Sequence, residues 1–100
     1  MSSSAESRRA EALSVTITDD ALVVDLVDGR TLSVPLEWYP RLARANQAER
    51  ENHRLVGRGT GIRWPDLDED VSVEALLAGR ASQESQTSLE RWLQERRRVG

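Results

Sequence analysis

Three short runs of alternating apolar and polar residues near the start of this chain constrain its fold more than any other feature of it. In the first, Leu13, Val15 and Ile17 alternate with Ser14, Thr16 and Thr18; the second carries Leu22, Val24 and Leu26, and the third Leu32, Val34 and Leu36. A period of two places each apolar set on one face of a strand. A two-residue turn at Asp19-Asp20 sets Ile17 opposite Leu22, Val15 opposite Val24 and Leu13 opposite Leu26, and Asp tolerates the left-handed conformations such a turn asks for. Between the second and third runs, a two-residue Asp28-Gly29 loop would put Leu26 against Thr31. A three-residue loop, Val27-Asp28-Gly29, instead pairs Val24 with Leu32 and Leu22 with Val34, with Gly29 at the left-handed position. The prediction is a three-stranded antiparallel meander with one apolar face.

Pro35 ends the meander, and Trp38-Tyr39-Pro40 leads into a helical stretch predicted from Pro40 to Asn52. Its apolar stripe, Leu42, Ala45 and Ala48, is thin, so the helix belongs on an edge, with Trp38 and Tyr39 adding apolar contact. A second hairpin is expected over Arg54–Gly59 and Gly61–Trp64, with Gly59-Thr60 at the turn, Leu55 opposite Trp64 and Gly57 opposite Ile62. A side-chain-free residue in that position leaves room for a large neighbour, Trp38 or Trp64. Trp64 reads as the last inward residue of its strand, and Pro65 lacks the N–H to continue the ladder. An acidic turn follows, then a helix from Val73 to Ala78 capped by Ser72 at its start and Gly79 at its end.

Residues 80–86 are polar and linker-like. Thr87-Ser88-Leu89-Glu90 has the spacing of a capping box, and the helix it opens carries Leu89, Trp92 and Leu93 on one face and ends in Arg96-Arg97-Arg98. The fold class is therefore α+β: an antiparallel three-stranded meander plus a second β-hairpin, with one helix between them and two short C-terminal helices. Residues 1–11, rich in Ser, Glu and Arg, read as a disordered tail. Residues 12–79 form a single domain, and residues 80–100 a linker and a C-terminal amphipathic helix.

One hundred residues suit one core. The chain contains no Cys, which removes disulfides and thiolate metal sites. Its N-terminal residues lack the apolar run of a signal peptide, and no segment approaches the roughly 20 apolar residues of a membrane span. The expectation is a cytoplasmic protein with no membrane partner. The net charge of −3 opposes a general attraction to nucleic acid or anionic lipid. All 14 basic residues are Arg, a bias that genome composition accounts for.

No set of residues amounts to a catalytic constellation. Asp66, Asp68, Glu69 and Asp70 resemble the opening of a calcium loop, but Val71 stands where that loop needs Gly and Leu77 where it needs a bidentate Glu. Carboxylates just ahead of a helix favour its positive end, which accounts for them without a metal. His53, the single histidine, has no partners at ligand or triad spacing. Gly57, Gly59 and Gly61 lie in a hairpin, so a tight turn explains them better than a phosphate loop. The run Arg96 to Arg98 complements a helix C-terminus. The stripe of Leu89, Trp92 and Leu93 is different: beyond a polar linker, it either folds back on the sheet or docks a partner chain.

Leu22 with Leu26-Val27-Asp28-Gly29, then Gly61-Ile62-Arg63-Trp64-Pro65-Asp66, then Asp70-Val71-Ser72 and Leu76 together resemble the small bacterial domain-of-unknown-function family numbered 2442. The likeness covers roughly residues 13–79. Asp28, Gly29, Trp64, Pro65, Asp66 and Asp70 match its motif; Leu67 stands in place of a usual Gly, and the spacing to the helix is longer. The resemblance implies a compact α+β domain, often encoded beside another small protein in arrangements like toxin–antitoxin pairs.

The expected function is a non-catalytic protein-interaction module, antitoxin-like or regulatory. It would bind a partner protein or itself through a sheet edge or through Leu89, Trp92, Leu93 and Arg96 of the last helix. No cofactor, metal or small-molecule substrate is implied. One alternative is a nucleic-acid-binding transcriptional regulator using Arg41, Arg44, Arg50 and Arg96 to Arg98. A second is a metal-dependent hydrolase built on Asp66, Asp68 and Asp70.

Overall fold

The computed structural model describes residues 10–99, and the side chains as far as Arg97. Of the predicted tail over residues 1–11, residues 1–9 lie outside the described residues. Ala10 already packs against the core, and the Glu11 carbonyl accepts from the Val27 N–H at 2.9 Å.

Strands β1 (Ala12–Ile17), β2 (Ala21–Leu26) and β3 (Thr31–Pro35) form the expected antiparallel meander in the order β1-β2-β3. Ile17 pairs with Leu22, Val15 with Val24, Val24 with Leu32 and Leu22 with Val34. The three-residue loop is present, with Gly29 at φ 97°.

Two details of the meander depart from expectation. The Asp19-Asp20 turn is made without a left-handed aspartate, because the Thr18 hydroxyl accepts from the Ala21 N–H at 3.0 Å and holds the turn from outside. In β1 the register slips by one at Leu13, so that Ala12, not Leu13, pairs with Leu26. Leu13 is 67 % exposed and Ala12 5 %. The bulge slides a small residue beneath the turn at Gly59, whose backbone approaches so closely that a Cβ there would lie 2.7 Å from the Ala12 carbonyl oxygen.

After a 3₁₀ turn over Leu36–Trp38, the expected single helix is two: α1 (Pro40–Ala43) and α2 (Gln47–Glu51). Asn46 starts the second afresh, its side chain accepting from the Glu49 N–H while the Glu49 carboxylate accepts from the Asn46 N–H. Arg50 fixes the break by donating to the carbonyls of Leu42 and Ala43, each at 3.0 Å.

The second sheet is larger than a hairpin. Strand β4 (Arg54–Val56) pairs with β5 (Gly61–Trp64), and β5 pairs with β6 (Glu69–Ser72), all antiparallel. The turn joining β4 to β5 occupies Gly57 to Thr60, with Gly57, Arg58 and Gly59 all at positive φ. This longer turn places Leu55 opposite Ile62 and Val56 opposite Gly61, correcting the expected register. The room expected beside Gly57 for Trp38 or Trp64 is taken by Thr60, whose Oγ1 would lie 2.5 Å from a Cβ on Gly57. Half of the expected acidic turn is β6: Pro65–Leu67 forms a 3₁₀ turn, Asp68 reverses the chain at φ 50°, and Glu69 and Asp70 pair with Trp64 and Arg63.

Helix α3 (Val73–Leu77) follows as expected. Ser72 accepts from the Ala75 N–H, and Gly79 sits at φ 75° while its N–H and that of Arg80 satisfy the carbonyls of Leu76 and Ala75. Helix α4 (Gln86–Val99) begins one residue before the predicted box, with the Ser85 hydroxyl accepting from the Ser88 N–H at 3.1 Å. One apolar cluster joins both sheets: Leu22, Val24 and Leu26 from the first, Ile62, Trp64 and Val71 from the second, sealed by Leu42, Leu67, Val73 and Leu76. Among the described residues, no helix is long and apolar enough to cross a membrane.

Candidate functional site

Pro40 presets the first turn of α1, and that turn carries Arg41. Its Nη1 donates to the Leu67 carbonyl at 2.8 Å, its Nε to Glu84 Oε1 at 2.9 Å and its Nη2 to Glu84 Oε2 at 2.7 Å. One side chain thus joins α1, the turn after β5 and the segment leading into α4. The break between α1 and α2 turns Glu49 toward the same side, where both of its carboxylate oxygens accept from Arg96 at 2.8 Å. Between these two ion pairs lies Trp92, with the Arg41 Cζ 5.0 Å and the Arg96 Cζ 4.6 Å from its ring centre. Guanidiniums over an indole are attracted by its ring electrons while their donors stay free for carboxylates.

Leu89, one turn earlier on α4, is 5 % exposed. The Ser88 hydroxyl donates to Glu84 at 2.8 Å. Residues 80–85 are held as well: the Tyr39 hydroxyl donates to the Arg80 carbonyl and the Ser82 N–H to the Trp38 carbonyl, both at 3.0 Å. The stripe expected either to fold back or to dock elsewhere is therefore seated on its own domain. Leu89, Trp92 and Arg96 face inward, with half-buried Leu93 beside them.

The charges respond to these contacts. Hydrogen bonds from Arg41 hold the Glu84 carboxyl below its ordinary value, and those from Arg96 do the same to Glu49. Glu69, half-buried opposite Trp64 on the inner side of β6, moves the other way. Burial pushes its carboxyl up to about 7, against the attraction of Arg41 and with the help of Glu84, Asp70 and Asp68.

The remaining predicted residues are dispersed. Asp66 accepts from Asn52 at 2.9 Å, while Asp68 and Asp70 accept from Arg63 at 3.1 and 2.7 Å. Among the described residues, no three His, Asp or Glu side chains come together as a metal-binding group. His53 lies with Nδ1 3.3 Å from the Arg50 carbonyl and its ring 5.9 Å from that of Trp64. Of the arginines proposed for nucleic acid, Arg41, Arg50 and Arg96 are engaged within the chain and Arg44 and Arg97 are exposed; the Arg98 side chain lies outside the described residues.

The motif residues hold turns: Asp28 accepts from the backbone and side chain of Arg30 beside Gly29, and Pro65 opens the 3₁₀ turn after fully buried Trp64, whose Nε1 donates to the Arg50 carbonyl at 3.0 Å. An open cleft of about 780 Å³ between the Val27–Gly29 loop, the Gly57–Thr60 turn and α3 is walled by Leu26, Val27 and Leu77, with Arg30 on its rim already paired to Asp28.

Sequence reasoning missed Glu49 and Glu84, and it offered Arg41 to nucleic acid where the fold pairs it with Glu84. The spacing Asn46-x-x-Glu49 carries a capping signal, but the two ion pairs join residues far apart in the chain and have no local signature.

Residues 12–82 match the model of a family described as "Protein of unknown function (DUF2442)". A crystal structure of a protein of unknown function from Rhodospirillum rubrum is similar at a TM-score of 0.67 and 25 % identity, over 79 % of this chain and 98 % of that one. The solution structure of an uncharacterised protein from Chromobacterium violaceum shares the fold at a TM-score of 0.63 and 22 % identity, over 80 % of this chain and 75 % of that one. No curated protein matches the chain.

Proposed function

The chain belongs to the DUF2442 family of proteins of unknown function, and from that premise we propose that it is a non-catalytic interaction module, antitoxin-like or regulatory, acting by binding another protein. The observation that carries this reading is the seating of α4. A small domain holds an amphipathic helix through Leu89, Trp92 and Arg96, spaced i, i+3 and i+7, which is how helix-in-groove recognition works. Aromatic and arginine anchors of this kind dominate the energetics of protein interfaces. Among the sheet edges, β4, at the rim of the second sheet, is the poorest candidate, since it is three residues long and offers a partner strand few backbone bonds.

The test is co-expression of the tagged full-length chain with the products of its neighbouring genes. The expected result is a complex of fixed stoichiometry that survives size exclusion, with its mass read by light scattering. If every neighbouring product elutes separately from the chain, the reading fails.

A further inference from the structure

We infer that the seat of α4 is a binding site for an amphipathic helix of another protein, and that α4 is its built-in competitor. This inference rests on the interaction reading above and names the surface responsible for it. The partner presents a leucine, an aromatic residue three positions on and an arginine seven positions on.

Two independent observations support this. The family match covers residues 12–82 and ends before α4 begins at Gln86, so Arg41, Glu49 and the Leu67 carbonyl lie within the matched residues, while α4, and Glu84 which braces Arg41, lie beyond them. The seat is also chemically particular. Glu49, with its side chain 18 % exposed, needs a cation in place of Arg96, and Arg41, held in position by Glu84 and the Leu67 carbonyl, offers a fixed guanidinium to an aromatic ring. Withdrawing α4 leaves a half-buried carboxylate without its bidentate partner and an apolar strip without Leu89 and Trp92. Both defects favour reoccupation by a helix of the same pattern.

The short tether over residues 80–85 sets the terms of competition. An intramolecular helix on so short a linker acts at an effective concentration on the order of 1 mM. A free helix of equal intrinsic affinity therefore hardly competes at micromolar concentration. A partner succeeds by making contacts beyond the stripe, or when the clasp is weakened.

The experiment uses the full chain and a dye-labelled synthetic peptide of residues 83–99 as the probe, read by fluorescence anisotropy. In the variant Leu89→Ala/Trp92→Ala, the tethered helix loses its anchors while the seat residues stay intact. The peptide should bind that variant at least tenfold more tightly than it binds the unaltered chain, and a peptide carrying Trp92→Ala should lose that binding. A second variant acts through charge alone: Arg96→Glu should open the seat to the peptide, and Glu49→Arg combined with Arg96→Glu should close it again.

Equal binding of the peptide to the unaltered and opened chains overturns the inference, as does equal binding of the two peptides. A doubled mass for the unaltered chain in light scattering, lost in Leu89→Ala/Trp92→Ala, gives the seat to a second copy and overturns its assignment to another protein. Tight peptide binding with no neighbouring product captured sustains the seat and rejects the interaction reading. A stoichiometric complex formed by a chain whose opened variants ignore the peptide does the reverse.

Discussion

Gly59 and Gly29 both sit at positive φ, 87° and 97°, yet their surroundings differ. A Cβ on Gly29 meets nothing within 4 Å, whereas on Gly59 it would lie 2.7 Å from the Ala12 carbonyl oxygen. Gly29→Ala should cost about 1–2 kcal/mol of left-handed strain, and Gly59→Ala about 1–3 kcal/mol more because a backbone atom must move. Urea unfolding of the two variants measures the difference.

Glu69 gives a second prediction at this scale. Its carboxyl titrates at about 7 in the folded protein, against 4.5 ordinarily. The folded state therefore holds a proton that the unfolded state has released, and Glu69 lowers stability as the pH rises from 4.5 to 7. Glu69→Gln should stabilise the protein at pH 8 by about 1–2 kcal/mol, allowing for solvent screening of a half-buried group. At pH 4 the gain should vanish, and thermal melts at the two pH values test this.

At the scale of elements, α4 is held among the described residues by the side chains of Leu89 and Trp92 and by the Arg96–Glu49 pair, and the segment before it by the Arg41–Glu84 pair. Arg96→Ala should weaken the docking of α4 by about 1–2 kcal/mol through loss of a half-buried ion pair. Trp92 emission should shift toward that of solvated indole as docking weakens. Glu49 and Glu84 are both held below their ordinary 4.5. Their contribution is present above that value and is lost as the pH falls below it, so acid should release α4 before the sheets unfold. Trp92 emission against circular dichroism in one acid titration separates the two events. The join between α1 and α2 depends on the reciprocal pair Asn46 and Glu49, and Asn46→Ala should cost about 1 kcal/mol.

The whole molecule combines these opposing slopes. Stability should be greatest at mildly acidic pH, above the range where the Glu49 and Glu84 pairs protonate and below about 7, where ionised Glu69 is fully unfavourable. The two sheets share one core, so a large cavity at its centre should act globally. Leu76→Ala, at a residue 2 % exposed, should cost about 2–5 kcal/mol. It should also lower the midpoint of the whole transition without resolving a second one.

Much of this fold is written locally. The alternation of Leu22, Val24 and Leu26 with their neighbours, the turn chemistry of Asp28-Gly29 and the caps Ser72 and Gly79 each act within a few residues, where backbone stereochemistry and a single apolar face decide the outcome. The sequence by itself therefore determined the meander, the burial of Trp64, the third helix and the family motif.

Only the tertiary structure decided the slip at Leu13, since the reason for it, the backbone of Gly59, lies in the turn between two strands of the other sheet. The same holds for β6, where pairing with β5 draws Glu69 and Asp70 out of a turn and into a strand. It holds most of all for the clasp of Arg41, Glu84, Trp92, Arg96 and Glu49, because an ion pair between distant residues leaves no periodicity along the chain. The energy of such contacts comes from where the fold brings charges together, and no window of sequence contains that distance.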